Sequence, residues 1–357
     1  MNTDRKLKVG ILGCGPIAQF AHLQACRKAK NATLHSVCDT AADLAHQMGA
    51  YYQAQKVFTD YEEMLGDPEL DAVIIATSDA FHIPASVSAV KAGKHVLVEK
   101  PIGTSLEEAW NLKKLLEASG LIFQVGHMKR FDPGIDFART FIRQELGEMI
   151  AFKAWYGDST HRYDMTDSTQ PLPFSSVAVK RPAQDPKSDL KQYYMLAHGS
   201  HLVDTARFLA GPIVSVRARL LQRKGIYSWF ADTEFEAGCN GHLDLTVAVR
   251  MDWHEGFHIY GEKGSVLGKI YNPWYFKTSE VQCFSEQDNL YHQPLNNKAH
   301  FFQLQLEAFA ETIMKGAPQK GTDIDQGIES LQTMMAIADS VSNHGNRVFL
   351  KDVKGSM

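Results

Sequence analysis

The chain predicts an α/β protein in two parts, a doubly wound parallel sheet followed by a domain built on an antiparallel sheet. Three observations carry this reading. A glycine turn, Gly13-Cys14-Gly15-Pro16-Ile17-Ala18, joins an apolar run to a helical one near the N-terminus. The first third holds short, nearly continuous apolar runs separated by helical segments, the pattern of strands buried on both faces. Beyond residue 213, apolar and polar residues alternate instead, as in strands with one buried face.

Val9 to Leu12 runs into the turn, where Gly13 permits the tight bend, Gly15 lets the backbone approach a pyrophosphate, and Ala18 allows close helix packing. The helix start at Pro16 and Ile17 turns its N–H groups toward the phosphates. Leu34 to Cys38 ends in Asp39, about 20 residues beyond the turn, where a carboxylate bonds both ribose hydroxyls and repels a 2′-phosphate. Thr40 comes next rather than an arginine, so the expected cofactor is NAD and not NADP. Val73 to Ala76, Val96 to Val98 and Ile122 to Val125 complete the first sheet, and Thr104-Ser105-Leu106-Glu107-Glu108 forms a capping box for a helix ending near Gly120. The first domain is therefore 1–126.

The second domain is 127–357. Phe131, Ile135, Ala138 and Ile142 recur at helical spacing and Gly147 supplies a stop. Val214 to Leu220 and Leu243 to Met251 alternate as half-buried strands, so helices back one face of the sheet and the other is wet or pairs with a second subunit. Two more helices are expected, from Phe301 and over Ile328 to Val341, free to pack back on the first domain. Residues 157–192 are polar and carry Pro171, Pro173, Pro182 and Pro186, which fits a functional loop or insertion arm and equally a disordered one.

Composition excludes several classes. With 357 residues and 44% hydrophobic content the chain can build two cores. A net charge of -4 leaves no electrostatic footprint for nucleic acid, and no Lys/Arg run points to a membrane surface. The five cysteines, Cys14, Cys26, Cys38, Cys239 and Cys283, lack CxxC spacing and are expected as reduced core thiols with no metal. Met1 to Lys8 is polar and no apolar run reaches the ~18 residues of a membrane span, so a cytoplasmic enzyme is expected.

Two motifs could carry chemistry. Val98-Glu99-Lys100-Pro101-Ile102 ends a strand at its carboxyl end, where ligands bind in open α/β sheets, and Lys100 there would bond a substrate hydroxyl and stabilise negative charge. A surface lysine is the plainer alternative. In Leu196-Ala197-His198-Gly199-Ser200-His201-Leu202-Val203-Asp204, the two histidines lie beside the stripe of Leu202, Ala206 and Leu209. They are expected near a helix start whose positive end favours neutral imidazole. His201 is the candidate base, against the alternative of a core histidine.

Together with Ala76-Thr77-Ser78-Asp79-Ala80-Phe81-His82, Gly126-His127-Met128-Lys129-Arg130-Phe131 and Gly199-Ser200-His201-Leu202-Val203-Asp204, these pieces resemble the Gfo/Idh/MocA oxidoreductases, in family order over some two hundred residues. The resemblance implies an N-terminal Rossmann domain, a C-terminal α/β domain with a large, mostly antiparallel open sheet, and a homodimer or homotetramer built on that sheet. It implies Lys100 as catalytic lysine, His201 as acid/base, and Thr77, Asp79, His82 and Glu99 on the nicotinamide side. One departure stands out: Ala197 occupies the position of a common family aspartate, so either His201 works with Lys100 alone, or His198, Tyr193 or Tyr194 takes over part of the proton handling.

The expected function is NAD-dependent oxidation of a secondary hydroxyl on a sugar, polyol or glycoside, with Lys100, His127, Arg130, Tyr156, Arg162 and His201 at the substrate. An NAD-dependent glycosidase working by transient C3 oxidation, elimination and water addition is the alternative, and a non-catalytic NAD-binding regulator the third. Arg162 belongs to a basic cluster with His161, Lys180, Arg181, Lys187 and Lys191 that could clamp an anionic sugar. Trp155, Tyr156, Trp274 and Tyr275 could stack on a pyranose or simply pack.

Overall fold

The computed structural model describes residues 5–160, 168, 172–180, 186–295, 298 and 300–357. They form two compact units: Met1–Met128 with Gln170–Ser188 and Phe302–Ile328, and Lys129–Thr169 with Asp189–Phe301 and Glu329–Met357.

The first unit holds a sheet of six parallel strands, β1 (Leu7–Leu12), β2 (Ala32–Cys38), β3 (Lys56–Phe58), β4 (Ala72–Ile75), β5 (His95–Val98) and β6 (Phe123–Val125). Their order is β3-β2-β1-β4-β5-β6. The order reverses between β1 and β4, and the crevice outside the carboxyl ends at such a reversal is where this fold binds ligands. All four residues of β4 are buried, which is why that strand reads as an unbroken apolar run. The three-residue edge strand β3 escaped the sequence reading because no apolar run marks it. Ser105 caps helix Leu106–Ser119 by accepting from Glu108 N at 3.3 Å, and Gly120 ends it at φ 66°, as the capping box predicts.

The second unit holds nine strands: β7 (Met149–Ser159), β8 (Ile213–Arg223), β9 (Ile226–Phe235), β10 (Asn240–Val249), β11 (His254–Gly261), β12 (Gly264–Ile270), β13 (Glu280–Ser285), β14 (Leu290–His292) and β15 (Val348–Phe349). The order is β14-β13-β12-β11-β7-β10-β9-β8-β15, antiparallel except for the β7–β10 pair. In β9, Tyr227, Trp229, Ala231, Thr233 and Phe235 are buried and their neighbours are not, the period-two signature of one covered face. Lys224 and Gly225, at φ 49° and 79°, form the hairpin between β8 and β9, a turn that needs two left-handed residues.

Charged groups organise the entry to this unit. Asp132 caps helix Pro133–Gln144 through Gly134 N at 2.8 Å and also accepts from Ser279 N at 3.0 Å and Ser279 Oγ at 2.6 Å. Gly134 is required there, since a Cβ would sit 2.3 Å from Ser279 O. Arg130 donates from Nε and Nη2 to the Asp204 carboxylate at 2.9 and 2.6 Å, with both side chains almost fully buried. Asp204 lies on helix Ser200–Ala210, which Gly211 terminates at φ 90°.

Removing one partner of a buried pair strands the other charge at a cost of about 3–5 kcal/mol. Asp204→Asn is therefore expected to lower unfolding stability in urea by about that amount. A loss below about 1 kcal/mol, the range of an exposed pair, would show that the pair is solvated.

Candidate functional site

In the first unit, the turn after β1 has the geometry its residues require. Gly13 adopts φ 93°, and a Cβ there would lie 2.6 Å from the Ala76 carbonyl oxygen, so glycine is obligatory. A Cβ on Gly15 would meet nothing within 4 Å, leaving its backbone open to an approaching group. The helix begins with Gln19 N donating to Gly15 O at 3.1 Å, and continues through the π-wound turn Ala18–His22 into Leu23–Lys28. Pro16 is exposed and Ile17 half-buried at its mouth.

Asp39, at the end of β2, accepts from Cys14 N at 2.8 Å and Ala41 N at 2.9 Å. The carboxylate is thereby locked beside the glycine turn, with lone pairs to spare for hydroxyl donors. The buried Thr77 Oγ1 has no hydrogen-bond partner among the described residues. It comes directly after Ala76, against which Gly13 packs. An open glycine backbone, a fixed carboxylate and an orphaned hydroxyl around the β1–β4 reversal fit a dinucleotide.

Glu99 is buried, with Oε1 2.7 Å from His22 Nε2 and Oε2 accepting from Lys100 N at 3.2 Å. Burial alone would raise its carboxyl, but the hydrogen bond to His22, with the nearby charges of His22, Lys100 and His82, holds it below its ordinary value. Lys100 is half-buried and precedes a cis bond to Pro101. His82 is buried, with Nδ1 2.7 Å from Pro101 O and Nε2 3.2 Å from Thr77 O. It ties together the loops after β4 and β5, while Asp79 stays half-buried at the start of a short 3₁₀ turn. His127 is buried with Nδ1 3.0 Å from Thr322 Oγ1. Part of the proline-bearing segment also belongs here: Gln19 Nε2 donates to Cys14 O at 2.8 Å and Phe174 O at 3.1 Å, and Ser176 Oγ bonds Asp43 at 2.8 Å.

The second unit assembles a cluster around Tyr156 on β7. The Tyr156 and His201 rings are parallel, at 1° and 6.2 Å between centroids. His198 lies with Nδ1 3.4 Å from Tyr156 Oη and Nε2 3.3 Å from Asp158 Oδ2. The Lys129 ammonium sits 4.7 Å from the Tyr156 ring centre and is paired with Glu255. Burial pushes the Glu255 carboxyl above its ordinary value despite that ammonium.

Several expectations change. The helical backbone runs without a break through Leu190–Tyr194, the π-wound turn Met195–Gly199 and Ser200–Ala210, capped by Asp189 through Gln192 N at 3.1 Å. His198 and His201 therefore lie within a helical run and not at its positive end, because the cap comes at Asp189. Arg130, expected at the substrate, gives Nε and Nη2 to Asp204. Arg162, with His161 and Arg181, lies outside the described residues. Lys129, Asp158 and Glu255 were not singled out, since each becomes notable only through a partner distant in sequence.

The other expectations have their places. All five cysteines are buried and unpaired, and burial pushes the thiols of Cys26, Cys38 and Cys283 up to about 12, which leaves them inert. One trio, His35, Asp67 and Glu69, has ligand-type atoms within 4.8 Å of one another, and the Lys56 ammonium bonds Asp67 there at 2.8 Å. No helix among the described residues is long and apolar enough to cross a membrane.

Comparison with known proteins bears on both units. A family model described as an oxidoreductase family with an NAD-binding Rossmann fold matches residues 7–127, and one described as the GFO/IDH/MocA C-terminal domain matches 138–267. Scyllo-inositol 2-dehydrogenase (NAD(+)) of Bacillus subtilis is 25% identical over 95% of each chain. 1,5-anhydro-D-fructose reductase of Ensifer adhaerens is 24% identical over 93% of this chain and 96% of its own. Among solved structures, levoglucosan dehydrogenase with NADH superposes at a TM-score of 0.80 with 18% identity, over 98% of this chain and 100% of that one.

The Glu99 shift makes a pH-dependent prediction. A carboxyl held low in the folded state contributes stability above its unfolded value, near 4.5, and loses it as the pH falls through the folded value. The stability advantage of wild type over Glu99→Gln is therefore expected to shrink on acidification from pH ~7 to ~4, measured by urea unfolding. An advantage that stays constant would mean that the charge of Glu99 contributes nothing.

Proposed function

Because the chain belongs to the Gfo/Idh/MocA oxidoreductase family and carries its NAD-binding domain, we propose that it oxidises a secondary hydroxyl of a sugar, polyol or glycoside with NAD. The observation that carries this reading is Lys100 at the carboxyl end of β5, directly after the buried Glu99–His22 pair and tied by His82 to the loop after β4. The named activities of the inositol dehydrogenase and the anhydrofructose reductase support a polyhydroxylated substrate.

NAD supplies the acceptor for the hydride leaving the carbinol carbon. Gly13, Gly15, Pro16 and Ile17 hold its pyrophosphate and Asp39 its ribose hydroxyls. Thr77 and Asp79 line the nicotinamide side, and His82 and Glu99 hold the loop that presents Lys100. Lys100 hydrogen-bonds the substrate hydroxyl and stabilises the charge that develops on its oxygen. His201 accepts the hydroxyl proton, with His198 as second proton carrier. Tyr156 and Lys129 wall the substrate side, and Arg130 positions the helix of His201 from behind. Residues 1–126 thus serve the cofactor and 127–357 the substrate and self-association. Leu221, Phe230 and Tyr260 are exposed on the face of the second sheet opposite Tyr156, and a second copy covering them would make a homodimer, or a homotetramer by repetition.

Lys100→Ala is expected to lower turnover by about 10²–10⁴ with NAD affinity retained, measured by steady-state kinetics and calorimetric titration; unchanged turnover would sink the assignment. Asp39→Ala is expected to erode the preference for NAD over NADP, and an unaltered cofactor ratio would remove Asp39 from the ribose. The reaction class is decided by NADH formed per enzyme when sugars, acidic sugars and glycosides are added with excess NAD. Many equivalents establish the dehydrogenase, whereas substrate loss with at most one equivalent establishes the redox-neutral glycosidase.

A further inference from the structure

We propose that His22 is a positioning residue for Lys100, its Nε2–H donated to Glu99 so that the helix opening at the glycine turn is locked to the strand end that presents the lysine. The inference rests on the dehydrogenase reading and assigns a role to an imidazole that no step of that reading uses.

His22 is the last residue of the π-wound turn Ala18–His22, which starts where the glycine turn ends. Its imidazole is buried, with the Phe302 ring edge-on to it at 5.5 Å between centroids, and Nε2 lies 2.7 Å from Glu99 Oε1. Glu99 comes directly after β5, where its own N–H donates to Ile75 O at 2.9 Å. Its second oxygen, Oε2, accepts from Lys100 N at 3.2 Å. Gly126 leaves the room this needs, since a Cβ there would come within 3.2 Å of Glu99 Oε1. An unbroken series of hydrogen bonds thus runs from the helix after the glycine turn to the main chain of Lys100.

A carboxylate only accepts, so the proton in the His22–Glu99 contact belongs to Nε2. That donor also decides the state of Glu99. Burial pushes the carboxyl up, and the hydrogen bond from His22 opposes it most, ahead of the charges of His22, Lys100 and His82. Without His22, burial favours the protonated acid, whose hydroxyl needs an acceptor that the Lys100 N–H cannot be. The lysine must meet a substrate oxygen within a fraction of an ångström, and a misplacement of about 1 Å costs about 10²-fold in rate. The main-chain groups of the glycine turn do not depend on Glu99, so NAD affinity is expected to hold while turnover falls.

The test compares substitutions of His22 in the full chain. In the NADH assay on the best substrate found, His22→Leu is expected to lower kcat by about 10²-fold with NAD affinity retained in calorimetric titration. His22→Gln, whose amide N–H reaches about as far as Nε2, restores most of the rate, and His22→Asn, whose amide ends near the Nδ1 position, does not. In a Glu99→Ala background, which lacks the acceptor, His22→Leu costs little more, because residues in contact are not additive. A merely structural role would lower stability in urea without separating Gln from Asn or kcat from NAD affinity. Two spectroscopic readouts do not depend on turnover. Long-range ¹H–¹⁵N spectra of histidine-labelled chain, with His22 assigned through His22→Gln, show Nε2 protonated at neutral pH, and the Lys100 amide exchanges faster in His22→Asn than in His22→Gln. If His22→Leu does not fold, the comparison of Gln with Asn decides. Equal kcat in those two, an unchanged kcat in His22→Leu, its full cost in Glu99→Ala, or a bare Nε2 in wild type would overturn the proposal. Wild type without NADH turnover would sink the dehydrogenase reading, and the spectra and amide exchange would then decide His22 independently.

Discussion

The buried ion pair of Arg130 with Asp204 is the contact around which the second unit's cluster is organised. It joins the turn that enters the unit to the helix carrying His201. Its sequence neighbours are placed by it: Lys129 is delivered to Glu255 and the Tyr156 ring, and Asp132 to Ser279 and the cap of the next helix. Phe208 closes the apolar side, with the Arg130 and Arg139 guanidiniums 5.0 and 4.0 Å from its ring centre. Such a pair does not have to add net stability. What it does impose is a penalty on separating the two groups, because a packing that parted them inside the protein would strand a charge away from water.

The first unit reaches its arrangement by a different route. Its strands are apolar on both faces, so polar groups can gather only where the strands end, at the β1–β4 reversal. There each is held by a hydrogen bond to backbone or to a second buried group: Asp39 by Cys14 N and Ala41 N, Glu99 by His22, and His82 by the Pro101 and Thr77 carbonyls. Gly126 completes the arrangement, since a Cβ there would come within 3.2 Å of Glu99. Side chains bonded in this way need not reorganise when a ligand arrives, which is the physical content of a preorganised site.

Two of the segments carrying candidate site residues include a π-wound turn, Ala18–His22 after the glycine turn and Met195–Gly199 before His201. A π turn inserts one residue and rotates the rest of the helix about its axis, re-aiming side chains without ending the helix. Here both histidines meet Tyr156 on β7, His198 through Nδ1 at 3.4 Å from the hydroxyl and His201 with its ring parallel to the phenol. An ordinary helical projection puts the two histidines near one stripe but gives no hint of the extra residue.

Legible in the linear chain were the dinucleotide turn, the acid at the end of β2, every strand of the first sheet except the edge strand β3, the helix caps at Ser105 and Gly120, and the change to alternating strands. These are properties of near neighbours, set by backbone sterics and by the periods of helix and strand, so a sequence displays them directly. It took tertiary contacts to pair Arg130 with Asp204 and Lys129 with Glu255, to bring Asp158 to His198, and to lay Phe174 against Gln19. Each joins residues tens to more than a hundred positions apart, and a charge shows its partner only when burial removes the water that would otherwise solvate it.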